Sequence, residues 1–206
     1  MAEPLRRCPL PERRQLLLAG LAASCTLLGL PAARAQTVQR LSFDEAAQRL
    51  RSGGWVLMMR HARTVPGVGD PAGFRLDRCD TQRNLSEDGR AQARRLGEAF
   101  RAADLMPAVV RSSAWCRCLE TAQLAFGAHM PWSALNSFFE ERGEGAQRTA
   151  EVLAFVRDFA GPGNAMLVTH QVNVTAATGV FPAQGEVVAM RWQDDRPVPA
   201  FSFQPA

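Results

Sequence analysis

Apolar positions after residue 36 fall into two kinds of stretch that alternate along the chain. Three are short continuous runs, Trp55 to Met59, Ala108 to Val110 and Ala165 to Thr169, as expected of strands covered on both faces. The others repeat at helical spacing: Ala93, Leu96, Phe100 and Ala103; Trp115, Leu119, Ala122 and Phe126; Val152, Phe155, Val156 and Phe159. Local chemistry punctuates the pattern. Ser42-Phe43-Asp44-Glu45 forms a capping box that opens a helix to about Leu50, and Ser52-Gly53-Gly54 ends it. Ser86 caps a helix to about Ala103, and Gly161-Pro162-Gly163 stops the last stripe. Two further strands are expected at Glu186 to Trp192 and Pro199 to Phe203. Residues 63–84, rich in Gly, Pro, Asp and Arg, read as a long loop, and loops of that length in a small domain usually serve function or move.

Strands alternating with helices predict one α/β domain over residues 36–206, a three-layer α/β/α sandwich with a largely parallel central sheet. Ligands of such folds sit beyond the carboxyl ends of the strands. Here those ends read Arg60-His61, Arg111-Ser112-Ser113 and His170. Two of the chain's three histidines therefore reach the same edge by independent routes.

Residues 1–35 change the reading of charge and compartment. Arg6, Arg7, Arg13 and Arg14 precede an apolar run from Leu16 to Leu30, and Ala33-Arg34-Ala35 offers a cleavage site before Gln36. The segment is an expected export leader, which makes the mature protein periplasmic or secreted; Arg13-Arg14-Gln15-Leu16-Leu17 also resembles a twin-arginine signal. The net charge of +4 belongs mostly to it: the leader holds five Arg and two Glu, leaving 19 basic and 18 acidic residues. A nucleic-acid partner is not indicated, and the mature chain is expected to have no transmembrane segment. Cys79, Cys116 and Cys118 remain after cleavage; Cys79 could pair with either of the others in an oxidising compartment and pin the long loop, or all three could be free.

Two histidines and several arginines without a cluster of carboxylates or thiolates argue against a metal centre or other cofactor and suit phosphate. Arginine forks orient phosphoryl oxygens, and a neutral imidazole is a nucleophile toward phosphorus. Four elements then line up in order. Arg60-His61-Ala62, Asn84 to Ala93 (with Leu85-Ser86, Gly89 and Gln92-Ala93), Ser113 through Arg117 to Thr121-Ala122, and Leu167 to His170 together resemble the signature elements of the histidine phosphatase superfamily. The resemblance implies a phosphoglycerate mutase-like fold and a small phosphorylated substrate. It makes His61 the phosphohistidine, with Arg60, Arg117 and His170 completing the phosphoryl pocket. It also puts the Thr64 hydroxyl on phosphate.

The family's usual acid position is Ser137 here, which makes Glu140 the candidate proton donor. Gln171 follows His170 where the other large branch of the superfamily has Asp, which disfavours that branch. The expected activity is metal-independent hydrolysis of an extracytoplasmic sugar or envelope phosphate, by similarity to lipopolysaccharide core heptose phosphatases. A protein phosphohistidine phosphatase and a non-catalytic phosphate-binding protein are the alternatives.

Overall fold

The computed structural model describes residues 38–140 and 142–204. The expected leader over 1–35 lies outside the described residues. Among the described residues, no helix is long and apolar enough to cross a membrane.

Among the described residues, seven strands form one sheet: β1 (Gln39–Leu41), β2 (Val56–Arg60), β3 (Val109–Ser112), β4 (Met130–Pro131), β5 (Ala165–Thr169), β6 (Val187–Gln193) and β7 (Arg196–Phe203). Their spatial order is β1-β7-β6-β2-β5-β3-β4. β2, β5, β3 and β4 run parallel, while β6 is antiparallel to both β2 and β7. The β6–β7 hairpin turns on Asp194 and Asp195, both at positive φ, where a short polar side chain is tolerated.

The helices are α1 (Phe43–Leu50), α2 (Glu87–Ala102), α3 (Cys116–Phe126), α4 (Gly145–Asp158) and α5 (Gln171–Thr178). The pleat sorts strand side chains between two cores. Leu57, Met59, Met166, Val168, Val187 and Ala189 pack with residues of α1, α2 and α3 on one face. Val56, Met58, Ala165, Leu167, Val188 and Met190 pack with α4, α5 and the turn at Ser133–Leu135 on the other. The expected three-layer sandwich is the one observed. Continuous apolar runs in β2 and β5 exist because both faces of these central strands are covered.

Local signals set the elements. Ser42 and Glu45 make the reciprocal capping box of α1. The Ser86 hydroxyl accepts from the Gly89 amide to open α2. Gly89 has a second role: a Cβ there would lie 1.8 Å from the Arg63 carbonyl oxygen, so the chain leaving His61 presses directly on this helix. Three elements are absent from the sequence expectation. The edge strands β1 and β4 are two or three residues long, and α5 reads Gln-Val-Asn-Val-Thr-Ala-Ala-Thr, with several β-branched residues and no helical stripe.

Candidate functional site

Sheet order brings the site together. β5 lies between β2 and β3, with Arg60 opposite Thr169 and Ser112 opposite Val168. One residue beyond each register pair, His61 donates its amide to the Thr169 carbonyl (2.9 Å) and Ser113 donates to Val168 (2.9 Å). His61, His170 and Ser113 therefore stand side by side at the carboxyl edge. The two imidazole rings meet edge to face at 5.6 Å.

His61 is 2% exposed. Its Nδ1 lies 2.8 Å from the Ala62 carbonyl oxygen. A carbonyl only accepts, so Nδ1 carries the hydrogen and Nε2 keeps its lone pair. Burial, then the positive charge of Arg117, with smaller effects of Arg60 and Arg83, lowers the imidazole pKa to about 3. The ring is neutral at any physiological pH.

His170, the residue preceding α5, is also buried, and its pKa is pushed well below the usual value by burial, His61 and the three arginines. A short relay fixes its tautomer. Asn136 Oδ1 accepts from the Ala114 amide (2.8 Å) and from the Ser113 hydroxyl (3.1 Å). With its proton so committed, the Ser113 oxygen accepts from His170 Nε2–H at 2.9 Å. The neutral ring then carries its lone pair on Nδ1.

Arg60, Arg83 and Arg117 line the same pocket, of about 520 Å³. Arg117 is buried, lies 4.4 Å over the Trp115 ring and donates to Asp70 Oδ1 at 2.9 Å. The same Asp70 oxygen accepts the Arg83 amide (2.9 Å). Arg60 donates to the Pro182 carbonyl (3.0 Å). The Nε groups of all three arginines are buried without a hydrogen-bond partner among the described residues. Burial and mutual repulsion lower the Arg60 and Arg83 pKa values. Three guanidinium groups against the paired carboxylate of Asp70 leave a surplus of about two positive charges beside two neutral histidines, the complement of a phosphoryl dianion.

Four of the expected residues, Arg60, His61, Arg117 and His170, line this pocket, and Glu140 sits at its exposed rim. Thr64 does not join them: it is buried, is not among the lining residues, and its hydroxyl accepts from Gln184 Nε2 at 3.0 Å. Arg111 lies over the Trp132 and Phe155 rings and Arg90 pairs with Glu120, so neither replaces Arg117. Arg75 and Arg78 pair with Asp77 and Asp80 in solvent.

Other positions of the four elements prove to be supports. Thr121 Oγ1 donates to the Arg117 carbonyl (2.6 Å) and accepts the Ala62 amide (3.1 Å), tying the strand end to α3. Gln92 accepts the Arg63 amide and donates to the Gln184 carbonyl. Cys79 and Cys116 form a disulfide, and Cys118 is free and buried, its thiol pushed up to about 12 by burial. Among the described residues, no three His, Cys, Asp or Glu side chains gather as a metal site.

Fold and site together define an α/β sandwich that presents a preformed, buried Arg–His anion pocket at the carboxyl edge of its sheet. The family model of the histidine phosphatase superfamily (branch 1) matches residues 56–141, a segment holding Arg60, His61, Ser113 and Arg117. This segment of the chain is similar to that superfamily. No curated protein matches it. Solved structures share its fold. The protein histidine phosphatase SixA in complex with tungstate is 13% identical, with TM-score 0.53, covering 73% of this chain and 97% of its own. The phosphoserine phosphatase of Entamoeba histolytica with phosphoserine is 14% identical (TM-score 0.53; 70% and 94% covered). The alpha-ribazole phosphatase of Shigella flexneri is 16% identical (TM-score 0.52; 69% and 93% covered).

Proposed function

We propose that this protein is a metal-independent phosphatase that hydrolyses a phosphate monoester through a covalent phosphohistidine on His61. The observation that carries the reading is the state of His61: a neutral ring, anchored through Nδ1–H on Ala62, with its Nε2 lone pair available beside three arginines. The Nε2 lone pair attacks phosphorus and the bond to the ester oxygen breaks. The departing oxygen takes a proton from Glu140. Water then attacks phosphorus, the P–N bond breaks, and the water proton returns to the Glu140 carboxylate. Arg60, Arg83 and Arg117 hold the phosphoryl oxygens throughout. A proton on His170 Nδ1, favoured once the dianion has arrived, adds a charged donor to them.

With an export leader at its N-terminus, the protein acts outside the cytoplasm, on a sugar or envelope phosphate. One observation supports a second substrate. Glu140 lies exposed at the rim, and a leaving group that needs little protonation, such as the imidazole of a phosphohistidine protein, would depend least on it.

The test is hydrolysis of an aryl phosphate by the wild type and by His61→Ala, with EDTA present. The mechanism requires activity that survives chelation and disappears in the variant. Equal activity in both would sink it. A phosphohistidine peptide assayed beside an alkyl phosphate separates the two substrates.

A further inference from the structure

Two large apolar side chains that the core does not use face the pocket. Leu76, on the 63–84 loop, is 40% exposed, and Phe139, just before Glu140, is 62% exposed. Both line the pocket that holds the Arg–His cluster. Single exposed apolar residues are ordinary on protein surfaces, but here two distant segments each aim one at the same cavity. Behind Leu76 the apolar lining continues inward. Phe74 packs its ring 4.4 Å from Trp115, and Trp115 in turn lies under the Arg117 guanidinium and 5.6 Å from the His170 ring. The apolar strip therefore begins where the cationic floor ends.

The wall is held in place. The Cys79–Cys116 disulfide ties the loop to the first turn of α3, and Gln82 Oε1 accepts the Cys116 amide at 3.0 Å. Asp70, bonded to Arg117, anchors the loop a second time. A phosphoryl group would satisfy the arginines and fill only part of the 520 Å³. The remainder is open to the group esterified to it. Asn136, Ser137 and Gln171 add polar lining, so that group has a polar side as well as an apolar one.

We infer that the pocket selects phosphomonoesters whose alcohol carries an apolar face, and that Leu76 and Phe139 determine this specificity. The inference rests on the phosphoryl reading of the floor and extends it to the leaving group.

The experiment is calorimetric titration of the purified protein with methylphosphonate and benzylphosphonate, which bear the charge but are not turned over. Benzylphosphonate should bind about tenfold or more tightly, as burial of one apolar ring face predicts. In the Leu76→Ser/Phe139→Ser double variant the ratio should fall to about twofold or less. Both positions are exposed, and a ratio taken on one preparation cancels any loss of folded protein. A wild-type ratio near one, or an unchanged ratio in the variant, overturns the inference, and failure of both ligands to bind removes it together with the phosphoryl reading. Wild-type turnover of acetyl phosphate is measured alongside. No turnover with the ratio intact removes the hydrolase and keeps the specificity; turnover with a ratio of one does the reverse.

Discussion

Breaking the Cys79–Cys116 bond should cost both stability and the site. The bridge closes a loop spanning 37 positions. The chain-entropy relation gives about 4 kcal/mol at 25 °C for a loop of that length. For a domain of this size, each kcal/mol moves Tm by roughly 2–4 °C, so loss of the bridge should lower Tm by about 8–16 °C. The assay compares thermal unfolding of the wild type with Cys79→Ser/Cys116→Ser, and of the wild type with and without a phosphine reductant. Activity should fall in step, because the released loop carries Asp70 and Arg83, which hold Arg117 and line the pocket. Cys118, buried and with a raised pKa, should stay silent to a thiol reagent until the protein unfolds. A Tm shift below about 2 °C with full activity would refute the reasoning.

The neutral buried histidines make stability depend on pH with a definite sign. The folded pKa values of His61 and His170 lie below the unfolded value; their contribution is therefore complete above pH ~6.5 and is lost as pH falls below it, for His61 down to about 3. The slope is up to about 1.4 kcal/mol per pH unit per histidine. A urea midpoint that is unchanged or higher at pH 5 than at pH 7.5 would contradict this, as would imidazole ¹⁵N shifts of His61 that titrate between pH 5 and 8. Ser113→Ala leaves His170 Nε2–H without its buried acceptor, at a cost of about 1–3 kcal/mol. It should lower kcat/KM roughly 10- to 100-fold and shift its pH profile, with partial recovery in Ser113→Thr; an unchanged profile would make Ser113 merely structural. Gly89→Ala should destabilise the protein by several kcal/mol, read by denaturant unfolding, because the Cβ meets backbone rather than a side chain that can turn away.

Much of the fold was legible because the central strands advertise themselves. β2 and β5 are apolar at almost every position since helices cover both faces, and that same centrality delivers His61 and His170 to one edge. α5 was hidden: it is held by packing against a covered sheet, not by propensity or a stripe. Sequence order carried His61 and His170 correctly to the pocket but misled at Thr64. A short separation from His61 does not say which way the chain turns, and Gln184, remote in sequence, takes the hydroxyl. The Ser113–Asn136–His170 relay and the Asp70–Arg117 pair join segments whose meeting no local pattern encodes. The loop's length and its cysteine did signal that residues 63–84 matter. Its pairing partner, left open between Cys116 and Cys118, was settled by geometry: Cys118 points into the core beside Thr169 and His170.

The most direct test of the central claim is to quench the protein in alkali shortly after mixing with an aryl phosphate and locate the phosphoryl group by mass spectrometry. The account predicts an acid-labile phosphoryl group on the peptide carrying His61, absent from His61→Ala. Steady turnover with the group on another residue, or with none trapped while His61→Ala remains active, would contradict it.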